Sequence, residues 1–412
     1  MNKIKKILPE LRFPEFKDAG EWEEKKLGEI LIKNSTKNKK QKYSLVQSVS
    51  NKFGLINQEE YFENRRIAGK DTSNYYVIKK GYFAYNPSRI DVGSLAYKYD
   101  NETSIISPLY VSFKADSKLV LDYFLLNWFD SENFTKQMIF EGGVRNTLNY
   151  ESLIQIKILL PPSINEQQRI AACLSSLDEL ITTAGERLNA LKAHKKGLLQ
   201  RLFPREGSNT PELRFAGFKG AWKEKRLGEV ANVVCGGSPR PIDEYLTSDK
   251  DGLNWLKIGD ISSEAKYITS TSEKVKQSAL KKTRVVREGE LILSNSMSFG
   301  RPYILKISTC IHDGWIAIKD IKNETFEEFL HYFISSEEIQ KYFKSKVAGG
   351  VVKNLKASTI QDLPILFPSL PEQQKIASCL SSLDTLIEAQ QERIALLKTH
   401  KKGLLQQLFP HH

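Results

Sequence analysis

His312 beside Asp313 is the nearest approach in this chain to an acid–base pair. General-base chemistry needs the imidazole within reach of a nucleophile, and this pair has no partner nucleophile, so a surface turn is the expected reading. His194 and His400 are Lys-flanked and occupy matching places in a repeat, which points to structural or interfacial roles. Gly69-Lys70-Asp71 lacks both the first glycine and the hydroxyl of a GxxxxGK[ST] phosphate loop, and no GxGxxG follows a predicted strand. The four cysteines, Cys173, Cys235, Cys310 and Cys379, form neither a CxxC nor any metal-ligand spacing. No metal site is expected, and Cys173 and Cys379 are read as small buried thiols.

The stretch YNPSRI (85–90) has the opening of the Asn-Pro-Pro-aromatic motif of amino-methyltransferases. Ser88 stands where the second proline belongs, and no aromatic follows. No nucleophile, base and oxyanion site assemble, so the chain is expected to catalyse nothing. Its balance is basic: 61 Lys+Arg against 49 Asp+Glu, a net charge of +12. That excess permits a polyanionic partner without establishing one. A hydrophobic fraction of 40% with 27% charged residues describes a soluble globular protein, and 412 residues predict about two to four domains. The start, MNKIKKILPEL, lacks the apolar core of about 7–15 residues that a signal peptide needs. No apolar run reaches the roughly 18 residues of a membrane span, and a reducing, cytoplasmic setting is expected. His411-His412 read as the remnant of a purification tag.

What positions these side chains is a duplication. EQQRIAACLSSLDELI (166–181) and EQQKIASCLSSLDTLI (372–387) differ only at Arg169/Lys375, Ala172/Ser378 and Glu179/Thr385. PELRFPEF…LGEI (9–30) is answered by PELRFAGF…LGEV (211–230), and LKAHKKGLLQRLFP (191–204) by LKTHKKGLLQQLFP (397–410). A fainter echo pairs EGGVRNTLNYESLIQIKILLPP (141–162) with AGGVVKNLKASTIQDLPILFPS (348–369). A repeat this long means duplicated domains, not a solenoid. Ile170, Leu174, Leu177, Ile181, Ala184, Leu188 and Leu191 are spaced alternately four and three apart; Lys195 interrupts, and Leu198 and Leu202 resume. The second copy follows the same phase from Ile376 to Leu408, interrupted at Lys401. Such a stripe faces a partner helix. Glu166 and Glu372 suit the first turn of each helix dipole, and the Lys pairs near the far ends suit the last. About 37 residues at about 1.5 Å rise give a rod of roughly 55 Å. Two rods in one chain most simply pair antiparallel; the alternative is that each packs on its own globular domain.

The segments between, roughly 31–150 and 231–347, read as α+β. YYVIKKGYFAY (75–85) and TRVVREGELILS (283–294) are β-rich runs broken by turn residues, and 121–138 and 326–346 are helical. Their matching order predicts a shared fold despite unlike sequences.

With these blocks in view, the whole chain resembles the specificity subunit of type I restriction–modification systems. The resemblance rests on SINEQQRIAACLSSLDELI, LPEQQKIASCLSSLDTLI, the two LKxHKKGLLQxLFP ends, and PELRF with LGEI or LGEV. It implies two globular target-recognition domains with twisted β-sheets, separated by two long helices packed as an antiparallel coiled coil, in a pseudo-twofold repeat. The corresponding boundaries are 1–160 for the first recognition domain and 161–204 for the central helix, then 205–367 for the second domain and 368–410 for the C-terminal helix. It further implies double-stranded DNA with a bipartite asymmetric target, two modification (methyltransferase) subunits carrying S-adenosylmethionine, and restriction (translocase and nuclease) subunits using ATP and Mg. No cofactor is expected on this chain. A DNA-binding scaffold or regulator without a methyltransferase partner is the alternative.

Under that resemblance, DNA contacts are expected from polar or basic turn residues of the variable segments. In the first these are Arg65, Arg66, Lys70, Asn86, Ser88, Arg89, Arg145 and Asn146. In the second they are Arg240, Asn295, Ser296, Ser298, Arg301, Lys353 and Asn354. Arg to guanine and Asn to adenine are the favoured bidentate pairings, and phosphate contacts only position the protein. A turn Arg or Lys is more often merely a solvated surface charge. YNPSRIDVGS and SNSMSFGRP end β-rich runs at comparable places, so their loops are expected to be equivalent.

Overall fold

Short β-branched and aromatic runs become strands in both halves of the chain, separated where glycine permits a left-handed turn. The computed structural model describes residues 7–61, 69, 71–138, 147–262, 265–295, 300–348 and 355–410. The first half contains β1 (Glu23–Lys26), β2 (Leu31–Lys33), β3 (Val46–Ser50), β4 (Gly54–Asn57) and β5 (Tyr76–Ile78). There follow β6 (Tyr82–Tyr85), β7 (Leu95–Tyr97), β8 (Ser104–Ile106), β9 (Val111–Ala115), helix α1 (Asp122–Phe129), β10 (Lys157–Leu160) and the long helix α2 (Ile164–Leu202). The second half contains β11 (Lys223–Arg226), β12 (Asn232–Cys235), β13 (Leu246–Thr247), β14 (Leu253–Leu256), β15 (Tyr267–Ile268) and β16 (Glu273–Val275). It continues with β17 (Arg284–Val286), β18 (Leu291–Ser294), β19 (Pro302–Leu305), β20 (Thr309–Ile311) and β21 (Trp315–Lys319). Helices α3 (Glu327–Ser335) and α4 (Glu337–Ala348), β22 (Pro364–Phe367) and the long helix α5 (Leu370–Leu408) close the chain.

Strand order reveals the duplication more clearly than sequence. One sheet runs β2-β9-β6-β7 in the first half and β12-β21-β18-β19-β15 in the second. The other runs β4-β3-β8-β5 and β13-β16-β14-β20-β17, with a parallel pair at β3/β8 and at β14/β20. The second copy adds an edge strand to each sheet and otherwise keeps the order. The β5–β6 and β17–β18 turns each place a glycine at positive φ, Gly81 at 90° and Gly289 at 83°, a conformation that other residues adopt only with strain.

By contacts, the chain forms two compact units: residues 1–185 with 392–412, and residues 186–391. Each unit therefore holds the start of one long helix and the end of the other. In unit 1, Ile170, Ala171 and Leu174 of α2 share a core with Leu405, Leu408 and Phe409. The Asp178 carboxylate of α2 accepts two hydrogen bonds of 2.8 Å from Lys401 of α5. In unit 2, Ile376, Ala377 and Leu380 of α5 share a core with Leu202 and Phe203, and Lys195 of α2 is bonded to Asp384 of α5. Within both units the helical segments run antiparallel. The lysine that interrupts each apolar stripe is the partner of an aspartate on the facing helix.

The repeated motifs anchor each helix start. Arg12 of PELRF donates from Nε and Nη2 to both oxygens of Glu166, each at 2.8 Å, and Arg214 does the same to Glu372. Gln167 accepts from Leu121 N at 2.9 Å and donates to Leu119 O at 3.0 Å; Gln373 makes the same pair with Phe326 N and Glu324 O. The first-turn glutamates are thus buried ion-pair partners in addition to facing the helix dipole. The glycine of LGEI is needed for close approach, since a Cβ at Gly28 would lie 3.1 Å from Ile154 Cβ, and one at Gly228 3.0 Å from Gln361 Cγ.

Three local expectations change. The predicted helix over 121–138 breaks after Phe129, where Ser131 Oγ bonds to Trp128 O at 2.6 Å and competes with the next helical turn. The one over 326–346 divides at Ser336, which is extended with ψ 151°. Cys173 and Cys379 are half-buried rather than buried.

Candidate nucleic-acid interface

The matched strand orders make the β6–β7 and β18–β19 loops equivalent, and both are tied at the same place. Leu148 N donates to Pro87 O at 3.0 Å, and Leu355 N donates to Asn295 O at 3.2 Å. Leu148 and Leu355 stand at matching positions of the fainter sequence echo, so in both copies the segment after the glycine pair fastens this loop.

In unit 1, the chemistry of YNPSRI is that of a turn. Asn86 Oδ1 accepts from Ser88 N at 3.1 Å, Arg89 N donates to Asn86 O at 3.0 Å, and Ile90–Val92 form a short 3-10 turn capped by Gly93 at φ 82°. Local side-chain bonding of this kind is why Asn and Ser dominate such turns. Ser88 and Arg89 are exposed and Asn86 is half-buried, so the structure brings these three candidates together on one loop.

In unit 2, three loops meet at Asp313. Its carboxylate accepts from Ser238 Oγ at 2.8 Å and from Arg240 Nη2 at 3.0 Å, while its carbonyl accepts from Asn295 Nδ2 at 2.8 Å. The hydrogen bond from Ser238, and then Arg240, holds the Asp313 carboxyl below its ordinary value despite some burial. His312 Nδ1 accepts from Gly314 N at 2.8 Å, closing the expected turn, and burial lowers its pKa against the opposing pull of Asp313. Gly236 is what lets the GGSPRP loop lie here: a Cβ on it would fall 2.0 Å from His312 O. Arg240 and Asn295 are thus gathered around one residue. Arg240 is exposed, whereas Asn295 is buried and directs its amide inward. Arg301 begins the other end of the loop, half-buried, with its guanidinium 6.0 Å from the Tyr303 ring. Arg65, Arg66, Lys70, Arg145, Asn146, Ser296, Ser298, Lys353 and Asn354 lie outside the described residues.

Ser238 and Asp313 organise this cluster without having been singled out as readers. Only Asp313 carried a signal, its place beside His312 in an HDG turn. His194 and His400 are exposed on the long helices. No helix among the described residues is long and apolar enough to cross a membrane, and no group of three His, Cys, Asp or Glu among them is placed to hold a metal ion.

The family model described as the type I restriction modification DNA specificity domain matches residues 19–193 and again 219–399. The specificity subunit assigned to type I restriction enzyme MjaX of Methanocaldococcus jannaschii is 25% identical over 411 residues, covering 93% of this chain and 92% of that one. The type I restriction enzyme MjaVIII specificity subunit of the same organism is 23% identical, covering 88% and 82%. Among solved structures, the S subunit of a type I restriction-modification system from M. genitalium aligns with a TM-score of 0.58 at 15% identity, covering 98% of this chain and 100% of its own. A chain from a study of complex assembly in the type I R-M system aligns at 0.59 and 19%, covering 94% and 97%. These two structural likenesses show the fold.

Proposed function

Because the chain belongs to the type I restriction-modification DNA specificity family, we propose that each of its variable domains reads one half of a bipartite, asymmetric DNA site while the long helices dock two modification subunits. One observation carries this reading. The β6–β7 and β18–β19 loops are equivalent in topology and unlike in sequence, while the Arg–Glu, Gln–backbone and Asp–Lys contacts of the long helices are repeated. A frame kept constant beside loops that vary is what two readers of different half-sites on one kind of partner require, since base edges carry the sequence and phosphates only the position.

Methyl transfer in this reading belongs to the modification subunits with S-adenosylmethionine, and translocation and cleavage to restriction subunits with ATP and Mg. The assembly works on DNA in the cytoplasm. Labelled S-adenosylmethionine and duplex DNA test it: the chain with its modification subunit should yield methyladenine in a split site, and the chain alone should yield none. Methyl transfer by the isolated chain would refute the division of labour.

Two further outcomes follow from the same reading. Arg89 has no carboxylate partner among the described residues and lies exposed on its turn. Arg89→Ala is expected to leave the melting temperature unchanged, to weaken DNA binding, and to lower the slope of log K against log salt by about one unit. Fluorescence anisotropy at several salt concentrations reads all but the first; unchanged affinity and slope would remove Arg89 from the interface. The long helices should also fix the spacing of the half-sites. Inserting one heptad of about seven residues into both is expected to change the tolerated spacer or abolish methylation, and a methylation map with the original spacer at full activity would dismiss that role.

A further inference from the structure

We propose that unit 2 carries a binding site for a small phosphate-class oxyanion, in the cleft where Arg301, Lys344, Lys266 and His331 converge. The inference goes beyond DNA reading and does not depend on it. The cleft has a volume of about 660 Å³, the size of a small-molecule site. Five cationic side chains line it against the two carboxylates of Asp384 and Glu388. Some of that charge is already matched: Lys195 is bonded to Asp384, and Lys266 lies 3.3 Å from Glu328 while donating to Tyr332 Oη at 2.9 Å and Ser381 Oγ at 2.6 Å. Arg301 and Lys344 have no carboxylate partner among the described residues. They leave an excess of positive charge at a concave surface, where a multivalent anion is favoured.

The second observation is His331. Its side chain lines the cleft, the residue is only 7% exposed, and its Nδ1 has no hydrogen-bond partner among the described residues. Buried polar atoms are rarely left in that state, and such an atom calls for a partner. Burial first, and then the charges of Lys266, Lys195 and Arg301, push the imidazole pKa down to about 3, so the ring is neutral. A neutral imidazole can present Nδ1–H as a donor, and an oxyanion among the surrounding cations supplies the acceptor. The arrangement is not part of the repeated frame. Phe329 packs on Trp222 as Phe124 packs on Trp22, and two residues beyond them stand His331 and Leu126 respectively. An apolar residue serves the scaffold there, so the histidine answers another requirement.

Calorimetric titration of the full chain with inorganic phosphate and pyrophosphate tests the site. Saturable binding is expected. It should weaken at least tenfold in R301A/K344A and at least threefold in K344A, a change at an exposed position that leaves the fold intact by thermal melting. Non-specific duplex DNA is then added as competitor. Displacement of pyrophosphate assigns the oxyanion to the nucleic-acid backbone, and lack of displacement assigns it to a free ligand; either result keeps the site. Absence of saturable binding by both probes, or binding unchanged in a folded K344A and R301A/K344A, would overturn it.

Discussion

Arg12→Ala is expected to destabilise unit 1 by about 3–5 kcal/mol, because it strands a buried carboxylate. The side chains of Arg12 and Glu166 are 8% and 1% exposed, and their bidentate pair fixes the first turn of α2 against the PELRF segment. Removing the guanidinium also frees Gly20 O, which Arg12 Nη1 binds at 2.7 Å, and leaves Trp22 Nε1 as the remaining side-chain donor to Glu166, at 3.3 Å. For units of this size the loss corresponds to a fall in Tm on the order of 10 °C. Lys33→Ala is the control: its pair with Glu151 is 3.4 Å long, both partners are exposed, and the expected loss is under about 1 kcal/mol. Replacing Arg12 by Met together with Glu166 by Leu should recover most of the stability, since no charge is then left unpaired. Thermal melts and amide exchange in the β1/β10 ribbon read the outcome. A loss for Arg12→Ala no larger than for Lys33→Ala would show that the buried pair does not hold the helix start.

That pair also marks how far the sequence could be read. The long helices were visible because the apolar stripe from Ile170 to Leu202 obeys a local spacing, and local spacing needs no knowledge of the partner. Glu166 was visible as a first-turn acid, but its partner lies 154 residues away and nothing in the sequence joins the two except that both motifs are repeated together. Lys195 and Lys401 looked like interruptions of the stripe for the same reason: Asp384 and Asp178 are on the other helix. The equivalence of the β6–β7 and β18–β19 loops was legible from their place after β-rich runs, and strand order upholds it. The use of each side chain in those loops was not legible. Asn86 bonds within its own turn, whereas Asn295, which stands where the first loop has Pro87, sends its amide to Asp313 O. Composition names the residue type that can recognise a base; the tertiary contacts decide whether its donors are already engaged.

Exchanging residues 31–150 for the matching segment of a relative is expected to change one half of the methylated sequence and leave the other half intact. The contacts that frame the segment explain why the exchange should fold. The β1/β10 ribbon and the Arg12–Glu166 pair lie wholly outside it. Gln167 binds only backbone atoms within it, Leu119 O and Leu121 N, and these survive a change of side chains. The demand on side chains is apolar filling at Phe124, whose ring lies 5.2 Å from that of Phe409, together with polar groups that can replace Asn133 on Pro410 O at 3.0 Å and Gln137 on the Lys157 backbone. Cores accept such replacements when volume is kept, typically at under about 1.5 kcal/mol. Readout, by contrast, changes steeply, since each bidentate base contact is worth about 1–3 kcal/mol and two or three of them shift preference by roughly thirtyfold to more than a millionfold. Mapping methyladenine in DNA treated with the exchanged chain and its modification subunit gives the answer directly. If both halves of the recognised sequence change together, the two domains do not read independently.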